Sequence, residues 1–469
     1  MNIKANLKHA REKAEMLDLK NKKIMVVGAG ISGIGAVHLL NQVGADVVLY
    51  DGGSKLSEDD VIKKLNGDKA QIILGEFSRE YMEGIDMLVI SPGVPIDNHV
   101  VVEFRKAGVP VWGEVELAYN YDKGTVLAIT GTNGKTTTTA LTGQIVGAWA
   151  KKTFVVGNIG NSYTKEVLNS DEDSYTVAEI SSFQLETVHK FAPKVSAVLN
   201  ITPDHLNRHY TMECYTDVKM SIAKNQDSNQ PIVLNYEDPI LREYAGKLTN
   251  RIIWFSSKQK VNPGVYLEGK NIIYADGKKE TFVTTTEDTT LVGIHNVENI
   301  MAAIAISINM DVPVDIIRET IRKFKAVPHR IEYVETINDV IYYNDSKGTN
   351  TDASIKAIEA MSRPTILIAG GYDKKVSFDD WAEAFGDKVK CLVLLGQTAE
   401  QIADTVKKHG FTNIIFTESL KEAVDECAKN AKPGDAVLLS PACASWGMFD
   451  NYEQRGDMFK EYVRAMCEK

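Results

Sequence analysis

A glycine-rich segment containing one lysine and four threonines carries the clearest chemical signal in the sequence. Residues 128–137 read AITGTNGKTT, between a β-branched run and a helix-length amphipathic stretch. Successive backbone N–H groups and a helix N-terminus can hold phosphate oxygens at such a turn. Lys135 would add a positive charge and Thr136 a hydroxyl for Mg²⁺. The segment predicts an ATP-binding loop, although the first glycine of the standard pattern would fall at Ile129. The loop residues are Gly131, Thr132, Asn133, Gly134, Lys135, Thr136 and Thr137.

An earlier glycine motif predicts a second site for a diphosphate. Residues 28–33 read GAGISG at a strand-to-helix turn, and Asp51 ends the next strand, where a ribose-binding acid would lie. Glycines let a backbone approach any nucleotide diphosphate, including that of a UDP-sugar. The motif alone therefore leaves three interpretations open: a nicotinamide or flavin dinucleotide, another diphosphate, or a tight turn with a structural role.

An acidic residue near the end of a predicted strand could reach a metal ion at the ATP-binding loop. Glu179 lies in the strand YTVAEI, within the block that begins just before the loop. Carboxylate oxygens are ligands that Mg²⁺ prefers. The alternative is a solvated acid at a strand end with no metal role.

Composition bounds the class of protein and its partners. The chain has 469 residues, of which 44% are hydrophobic and 25% charged, values typical of globular proteins. Lys and Arg number 53 against 63 Asp and Glu, so the net charge is −10 and no nucleic-acid partner is expected. The five cysteines lack zinc-ligand spacing, and no apolar run approaches 18 residues. These features predict a reduced, cytoplasmic protein without membrane insertion.

The order of predicted elements indicates an α/β protein with three domains. Short β-branched runs alternate with helix-length segments along the whole chain. We predict a Rossmann-like N-terminal domain over residues 1–122, a P-loop-type central domain over 123–327 and a Rossmann-like C-terminal domain over 328–469. Within the central domain, residues 231–290 contain short alternating strands, which we interpret as a small antiparallel insert.

The segment TGTNGKTTT resembles the nucleotide signature of the Mur ligases and the related folylpolyglutamate synthetases. The resemblance implies an ATP-dependent, amide-forming enzyme of three α/β domains that uses two Mg²⁺ ions. EISSFQLE and the segment SPACAS to NYEQRG are most similar to family members that add D-glutamate to UDP-N-acetylmuramoyl-L-alanine in peptidoglycan precursor synthesis. The resemblance covers nearly the whole chain and rests also on SPGVP (91–95), WGEVEL (112–117), GNIG (157–160), NITPDHLNRH (200–209), HNVEN (295–299), PHR (328–330), NDSKGTN (344–350) and AGGYDK (369–374).

The resemblance implies catalytic and metal-binding roles that the residues alone do not reveal. Thr136, Glu179 and His205 would bind Mg²⁺. Without the resemblance, the sequence gives no reason to prefer His205 over His209 as a metal ligand. Lys219 would carry a carbamate that reaches the second Mg²⁺. Without the resemblance, the ordinary interpretation of Lys219 is an unmodified lysine on a helix surface. Lys347 would stabilise the transferred phosphoryl group. The implied catalytic set is Lys135, Glu179, His205, Lys219 and Lys347.

The resemblance also implies which residues bind the three reactants. ATP would contact Asn296, Arg330 and Asp345, with Asn299 supporting the site, although Asn296 could instead be a helix N-cap. Ligands from two domains predict open and closed forms. The UDP moiety would lie on Ile31, Ser32, Asp51 and Gly52, with Asn158 at the muramoyl-alanine part. D-Glutamate would bind Thr349, Lys374, Ser445 and Tyr452.

Two departures and three alternatives accompany this prediction. The chain has Trp446-Gly447-Met448 where the family often has Leu-Asp-Gln, and Tyr452 where it often has Phe, so the fine contacts of the amino-acid pocket are open. The nearest alternative is a family ligase that adds a different amino acid. An NAD-dependent oxidoreductase would leave the ATP-binding loop and the third domain unexplained. A non-enzymatic ATP-binding switch is the third alternative. We expect a monomer.

Overall fold

The first sheet has five parallel strands in the order β3-β2-β1-β4-β5. The computed structural model describes residues 18–53, 56–158, 161–373 and 375–467. Nearly every residue of β1 and β4 is buried, as expected for parallel strands covered on both faces. The strands are β1 (Lys23–Val27), β2 (Asp46–Asp51), β3 (Gln71–Leu74), β4 (Met87–Ile90) and β5 (Val111–Gly113). The helices are α1 (Ile31–Gln42), α2 (Glu58–Leu65), α3 (His99–Lys106) and α4 (Glu114–Tyr119).

The second sheet has nine strands in the order β14-β13-β12-β11-β10-β9-β6-β8-β7. Its strands are β6 (Thr125–Thr130), β7 (Thr153–Gly157), β8 (Tyr175–Glu179), β9 (Val195–Val198), β10 (Pro231–Asn235), β11 (Arg251–Ser256), β12 (Gly264–Glu268), β13 (Asn271–Ala275) and β14 (Glu280–Thr285). The helices that follow β6 are α5 (Lys135–Trp149), α6 (Tyr163–Glu166), α7 (Ser182–Leu185), α8 (Leu206–His209), α9 (Met212–Met220), α10 (Pro239–Ala245), α11 (Ile294–Ile308) and α12 (Val314–Lys323).

The predicted antiparallel insert is wrong in its extent. Strands β10, β11 and β12 each pair in parallel with the preceding strand and extend the central sheet. Antiparallel pairing is confined to β12 with β13 and β13 with β14, and the turn between β13 and β14 is closed by the Asp276 N–H, which donates to the carbonyl of Lys279. Strand β10 is buried throughout, and a short apolar run of this length does not by itself distinguish a parallel from an antiparallel strand.

The third sheet has six strands in the order β15-β16-β20-β17-β18-β19. Strand β15 pairs antiparallel with β16, and all other neighbours are parallel. The strands are β15 (Glu332–Ile337), β16 (Val340–Asn344), β17 (Thr365–Ala369), β18 (Val389–Leu394), β19 (Ile414–Phe416) and β20 (Ala436–Leu439). The helices are α13 (Thr351–Ala360), α14 (Asp379–Glu383), α15 (Ala399–Lys408), α16 (Leu420–Asn430) and α17 (Tyr452–Arg464).

Backbone contacts divide the chain into two compact units. The first contains the described residues up to Asp288 together with Asn299–Arg322, and the second contains Thr289–Glu298 together with the described residues from Lys323 onward. One hydrophobic core in the first unit joins the first two sheets and includes Val26 and Ala178. Within the described ranges, no helix combines the length and apolarity needed to span a bilayer. The α/β class is confirmed, and the boundaries at 122 and 327 remain predictions.

Candidate active site

The carboxyl ends of three neighbouring strands bring the predicted ATP and metal residues together. Strand β6 lies between β9 and β8, and all three run parallel. The ATP-binding loop follows β6, Glu179 ends β8, and Asn200 lies just beyond β9. Parallel α/β sheets bind ligands at this edge, because the loops after adjacent strands meet there.

Side chains and backbone hold the ATP-binding loop in one conformation. The side chain of Asn200 accepts from the N–H of Asn133 at 2.8 Å and donates to the Asn133 carbonyl at 3.1 Å. Gly134 has a φ of +83°, and a Cβ at this position would lie 2.2 Å from Oδ1 of Asn299. The loop needs glycine there for both reasons. Helix α5 begins at Lys135, so its first N–H groups face the loop.

Lys135 and the loop threonines have distinct environments. The Lys135 ammonium donates to the carbonyls of Gly131 and Thr132, at 2.9 and 2.8 Å. Thr132 is buried, and its hydroxyl bonds to the carbonyl of Thr202 and the hydroxyl of Tyr215. Thr136 and Thr137 are buried in the first turn of α5. Lys135 therefore folds back onto the loop carbonyls, and the Thr132 hydroxyl ties the loop to Thr202 and Tyr215.

Glu179 has one carboxylate oxygen without a hydrogen-bond partner among the described residues. The side chain is 1% exposed, Oε1 accepts from Asn158 at 2.8 Å, and Oε2 is buried and unpaired. A buried orphan oxygen is costly unless a ligand satisfies it. Among the described residues, no group of three or more His, Cys, Asp or Glu side chains forms a metal cage. Mg²⁺ at nucleotides needs only one or two carboxylates beside phosphate oxygens, so Glu179 and Thr136 fit this ion.

Lys219 is a buried lysine rather than the surface lysine that its sequence position suggests. It is 2% exposed in α9, and its Nζ donates to the Gly131 carbonyl at 2.8 Å. Burial lowers the pKa of Lys219 well below the ordinary value, and the positive charge of Lys135 lowers it further. The carboxylates of Asp204 and Glu179 act on the same pKa in the opposite direction. Burial and the Lys135 charge therefore both favour the neutral form of an amine that lies among the predicted metal residues.

The two histidines of the segment 200–209 differ in environment. His205 is half-exposed, stands before α8 with a φ of +53°, and its ring lies 4.8 Å from that of Phe183. His209 is buried and bonds to the hydroxyl of Ser182 at 3.0 Å. Burial lowers the pKa of His209 to about 4. His209 is therefore packed inside the fold, and His205 is the more accessible histidine of the pair.

A cleft of about 770 Å³ opens at the carboxyl edge of the first sheet. Asp51 and Gly52 line it, and Asp51 also accepts from the N–H of Ala29 at 2.7 Å, which closes the glycine turn. Ile31 and Ser32 form the first turn of α1, where Ile31 is 83% exposed. Asn158 lies instead beside Glu179, at the edge of the second sheet. The structure thus brings four of the five predicted UDP-substrate residues near one turn.

The third sheet also collects predicted residues at its carboxyl edge. The neighbouring strands β16, β20 and β17 run parallel and are followed by residues 345–350, 440–451 and 370–373. Asp345 is buried and accepts from the Ser440 hydroxyl at 2.7 Å. Burial raises the pKa of Asp345 to about 6, and Arg330 opposes this effect. The Nε atom of Arg330 is buried without a partner among the described residues.

Two of the four residues predicted for D-glutamate, Thr349 and Ser445, lie on these loops, and Tyr452 is the first residue of α17. Lys347 lies with its Nζ 5.3 Å from the centre of the Tyr452 ring, and the Thr349 N–H donates to the Lys347 carbonyl at 2.9 Å. Ser445 is buried in the loop after β20. The next residue, Trp446, is exposed and packs edge to face against Tyr372. Lys374 lies outside the described residues.

Asn296 and Asn299 lie on α11 but belong to different units. Asn299, in the first unit, packs against Gly134 and accepts a 3.4 Å hydrogen bond from the Thr138 hydroxyl. Asn296, in the second unit, is buried and donates its side-chain amide to the Val292 carbonyl at 2.7 Å. The N-cap alternative for Asn296 is wrong, because α11 begins at Ile294.

The sequence did not reveal several residues that hold or influence the predicted site residues. Asn200 fixes the ATP-binding loop, and Asp204 is close enough to shift the pKa of Lys219. Arg455 is buried and donates to the hydroxyl and carbonyl of Ser346, beneath the loop that carries Lys347. Asn200 and Asp204 lie in the same short segment as His205, and this closeness in sequence is the feature that could have pointed to them.

Three family models match consecutive parts of the chain. The N-terminal domain of MurD-like Mur ligases matches residues 22–113, the Mur ligase middle domain 129–307, and the Mur ligase glutamate ligase domain 329–443. Among solved structures, MurF ligase from Thermotoga maritima in complex with ADP has a TM-score of 0.61 at 18% identity, covering 96% of this chain and 100% of that chain. UDP-N-acetylmuramate-alanine ligase MurC from the same organism has a TM-score of 0.60 at 20% identity, covering 95% of this chain and 100% of that chain. These likenesses concern the fold.

Curated relatives match at much higher identity. A protein of Lachnospira eligens is 62% identical over 96% of this chain and 100% of its own length. Relatives from Lachnoclostridium phytofermentans and Clostridioides difficile are 54% and 46% identical, each over 96% of this chain and 99% and 100% of their own lengths. All three are named UDP-N-acetylmuramoylalanine–D-glutamate ligase. The chain therefore belongs to the Mur ligase family, together with its D-glutamate ligases.

Proposed function

We propose that the protein joins D-glutamate to UDP-N-acetylmuramoyl-L-alanine and couples formation of the amide bond to cleavage of ATP into ADP and phosphate, in peptidoglycan precursor synthesis. The full-length match to a 62% identical D-glutamate ligase carries this assignment. The ATP-binding loop with the orphan oxygen of Glu179 supports it independently, because an oxidoreductase built on Gly28–Gly33 needs neither. We also propose domain boundaries near Asp122 and Val327.

A carboxylate does not react with an amine directly, so the reaction must first attach a good leaving group to the carboxyl carbon. The substrate carboxylate attacks the γ-phosphorus of ATP, ADP departs, and an acyl phosphate forms. The D-glutamate amine then attacks the acyl carbon, and phosphate leaves after the amine has lost a proton. Negative charge accumulates in both steps, so oriented donors and cations must lie at the reacting oxygens.

The ATP-binding loop supplies those donors on the nucleotide side. The N–H groups of residues 131–137 and the Lys135 ammonium would hold the β- and γ-phosphates. Bound Mg²⁺ would neutralise charge on the phosphate oxygens. Glu179 and Thr136 would hold one ion, and His205 and Lys219 would hold a second. Glu179 offers Oε2 for this purpose, since Asn158 already occupies Oε1.

Lys219 would serve the metal site only after modification. Its neutral amine attacks the carbon of CO₂, a C–N bond forms, and one proton leaves to solvent, so the side chain becomes an anionic carbamate. Burial and the nearby Lys135 charge both favour the unprotonated form of the amine, which supports this step. The anionic product suits a site that already gathers cations.

The remaining residues keep the roles that the family resemblance implies. Ile31, Ser32, Asp51 and Gly52 would bind the UDP moiety, and the cleft beside Asp51 has room for it. Asn158 would act at the muramoyl-alanine part. Asn296, Arg330 and Asp345 would bind ATP, and Lys347 would stabilise the transferred phosphoryl group. Thr349, Lys374, Ser445 and Tyr452 would bind D-glutamate, whose two carboxylates need such donors. We also propose that the protein is a monomer and that it acts in the cytoplasm, where ATP is available.

Phosphate release from ATP tests the assignment. The protein is incubated with Mg²⁺, ATP and UDP-N-acetylmuramoyl-L-alanine, and then with D-glutamate, L-glutamate, L-alanine, L-lysine or meso-diaminopimelate. We expect release with D-glutamate alone. Release with another amino acid would instead assign a different ligase activity of the same family, and release without any amino acid would favour the ATP-binding switch.

A further inference from the structure

Arg208 connects the ATP side of the first unit to the cleft of the first sheet. Its side chain is 11% exposed in α8, three residues after His205. One guanidinium nitrogen donates to the Val94 carbonyl at 2.9 Å and is 3.5 Å from the carbonyl of Pro92. Nε donates to the carboxylate of Glu186 at 3.1 Å, and the same carboxylate accepts a second, shorter bond.

The carbonyls that Arg208 contacts belong to a loop that lines the cleft. This loop follows β4, and Gly93, Val94 and Pro95 form part of the cleft wall opposite Asp51. The UDP cleft therefore has one wall held from the segment that carries His205. These hydrogen bonds join a guanidinium to backbone carbonyls, so they do not depend on the side chains of the loop.

A shared aromatic ring extends the contact to His205. The guanidinium of Arg208 lies 4.8 Å from the centre of the Phe183 ring, and the His205 ring lies 4.8 Å from the same ring. Phe183 belongs to α7, which begins three residues after Glu179. Arg208 thus touches the cleft loop, the segment that follows Glu179 and the ring that supports His205.

The buried carboxylate of Glu186 fixes the orientation of the guanidinium. Its side chain is 3% exposed, and the ring of His209, whose pKa burial lowers to about 4, lies 3.5 Å from it. Breaking such a pair leaves a buried charge uncompensated, which is more costly than losing a surface ion pair. The planar fork of arginine satisfies the carboxylate and the loop carbonyls together, and lysine lacks this geometry.

We propose that Arg208 is a positioning residue that couples the cleft loop at Pro92–Val94 to the placement of His205. The inference rests on the proposed function, in which the UDP-substrate lies in the cleft and His205 binds Mg²⁺. Arg208 touches neither reactant in this account. It holds the two ends of one substrate's binding region, the UDP cleft and the metal-side segment, at a fixed separation.

Binding of UDP-N-acetylmuramoyl-L-alanine to the intact protein, measured by calorimetry without ATP or Mg²⁺, tests the cleft side. Arg208→Met should raise the dissociation constant about tenfold, the loss of roughly one charge-assisted hydrogen bond. Arg318→Met is the matched control, because Arg318 also donates to a carbonyl, pairs with a carboxylate and lies over a phenylalanine ring. The control should leave binding unchanged. Equal constants for wild type and Arg208→Met would overturn the proposal.

A kinetic cycle tests the His205 side. Arg208→Met should lower kcat in the wild-type background but change it less than about twofold in His205→Ala, because residues that act through one group are not additive. The KM for D-glutamate should stay the same. Equal kcat losses in both backgrounds would contradict the coupling. Arg208→Lys, which keeps the charge, should fold and show a smaller change in the same direction, so poor folding of the methionine variant leaves the test intact.

The wild-type protein separates failure of this inference from failure of the proposed function. Wild type without D-glutamate-dependent phosphate release would refute the function itself. Active wild type together with an Arg208→Met variant that behaves like Arg318→Met would refute only the role of Arg208.

Discussion

Lys135 and Lys219 donate to the same carbonyl oxygen, that of Gly131, at 2.9 and 2.8 Å. Burial lowers the pKa of Lys219, and the positive charge of the nearby Lys135 lowers it further. The ATP-binding loop therefore places a phosphate-binding cation beside an amine that can react with CO₂.

Carbamylation of Lys219 predicts a specific isotopic signal. Protein equilibrated with ¹³C-bicarbonate near pH 8 should show one carbamate carbon by NMR, since the neutral amine reacts. Lys219→Ala should lack this signal and lose activity, and short-chain carboxylates should partly restore the activity. The exposed Lys224 offers a matched control, because Lys224→Ala should keep both signal and activity. Full activity of Lys219→Ala would refute the metal role of this lysine.

Glu179→Gln should abolish most catalysis without destabilising the fold. Loss of the metal-facing oxygen should lower kcat by about two powers of ten or more and raise the Mg²⁺ concentration for half-maximal rate. The unfolding temperature without nucleotide should be unchanged or slightly higher, since the substitution removes a buried carboxylate oxygen that has no hydrogen-bond partner among the described residues.

Glu116→Gln is the control for Glu179→Gln. Glu116 is also fully buried, but its carboxylate accepts the N–H groups of residues 189, 190 and 191. This variant should unfold at lower temperature and keep the wild-type Mg²⁺ dependence. The reverse pattern, with stability lost in Glu179→Gln and metal dependence altered in Glu116→Gln, would contradict the assignment.

Some features were predictable from sequence because they are local. All five strands of the first sheet and the ATP-binding loop follow from β-branched runs and glycine turns, which depend on neighbouring residues. Strands β7 and β15 were not predicted: β7 follows a helix without a clear break, and β15 (EYVETI) alternates polar and apolar residues at a sheet edge.

The site was less predictable, because burial depends on distant segments. Nothing near Lys219 in sequence indicates a buried amine, since its partner Gly131 lies 88 residues away. The choice between His205 and His209 likewise depends on Ser182 and Phe183, which only the fold brings near. The family resemblance predicts the roles of Lys219 and His205, and the structure shows that the lysine is buried and the histidine accessible.

Glu114 predicts a pH dependence of stability. It is fully buried, one of its oxygens has no partner among the described residues, and burial raises its pKa from 4.5 to about 7. The folded state therefore holds the proton more tightly than the unfolded state. Its contribution to stability is full below about pH 4.5 and is lost as pH rises through 7, with a total of about 3 kcal/mol.

Glu114→Gln removes this titration and keeps an acceptor for the Gln184 side chain, which donates to Glu114 at 2.7 Å. The unfolding temperature of the variant, relative to wild type, should rise between pH 5 and pH 8.5. A difference that stays constant across this range, measured by calorimetry, would show that Glu114 does not titrate there.

Gly134→Ala should weaken ATP binding through a steric clash. The added Cβ would meet Oδ1 of Asn299 at 2.2 Å, at a φ of +83°. Gly67 separates the two effects, because it has a φ of +99° and open space around its Cβ position. Gly67→Ala should cost about 1 kcal/mol of stability from the left-handed backbone alone. Gly134→Ala should, in addition, raise the dissociation constant for ATP, and equal ATP affinities in both variants would contradict the clash.

Transfer of an oxygen isotope tests the proposed ligase reaction most directly. UDP-N-acetylmuramoyl-L-alanine labelled with ¹⁸O in its carboxylate is incubated with the protein, Mg²⁺, ATP and D-glutamate, and the released phosphate is analysed by mass spectrometry. An acyl phosphate predicts one ¹⁸O atom in each phosphate and one D-glutamate joined per phosphate released. Unlabelled phosphate, or labelled phosphate formed equally with L-glutamate, would contradict the account.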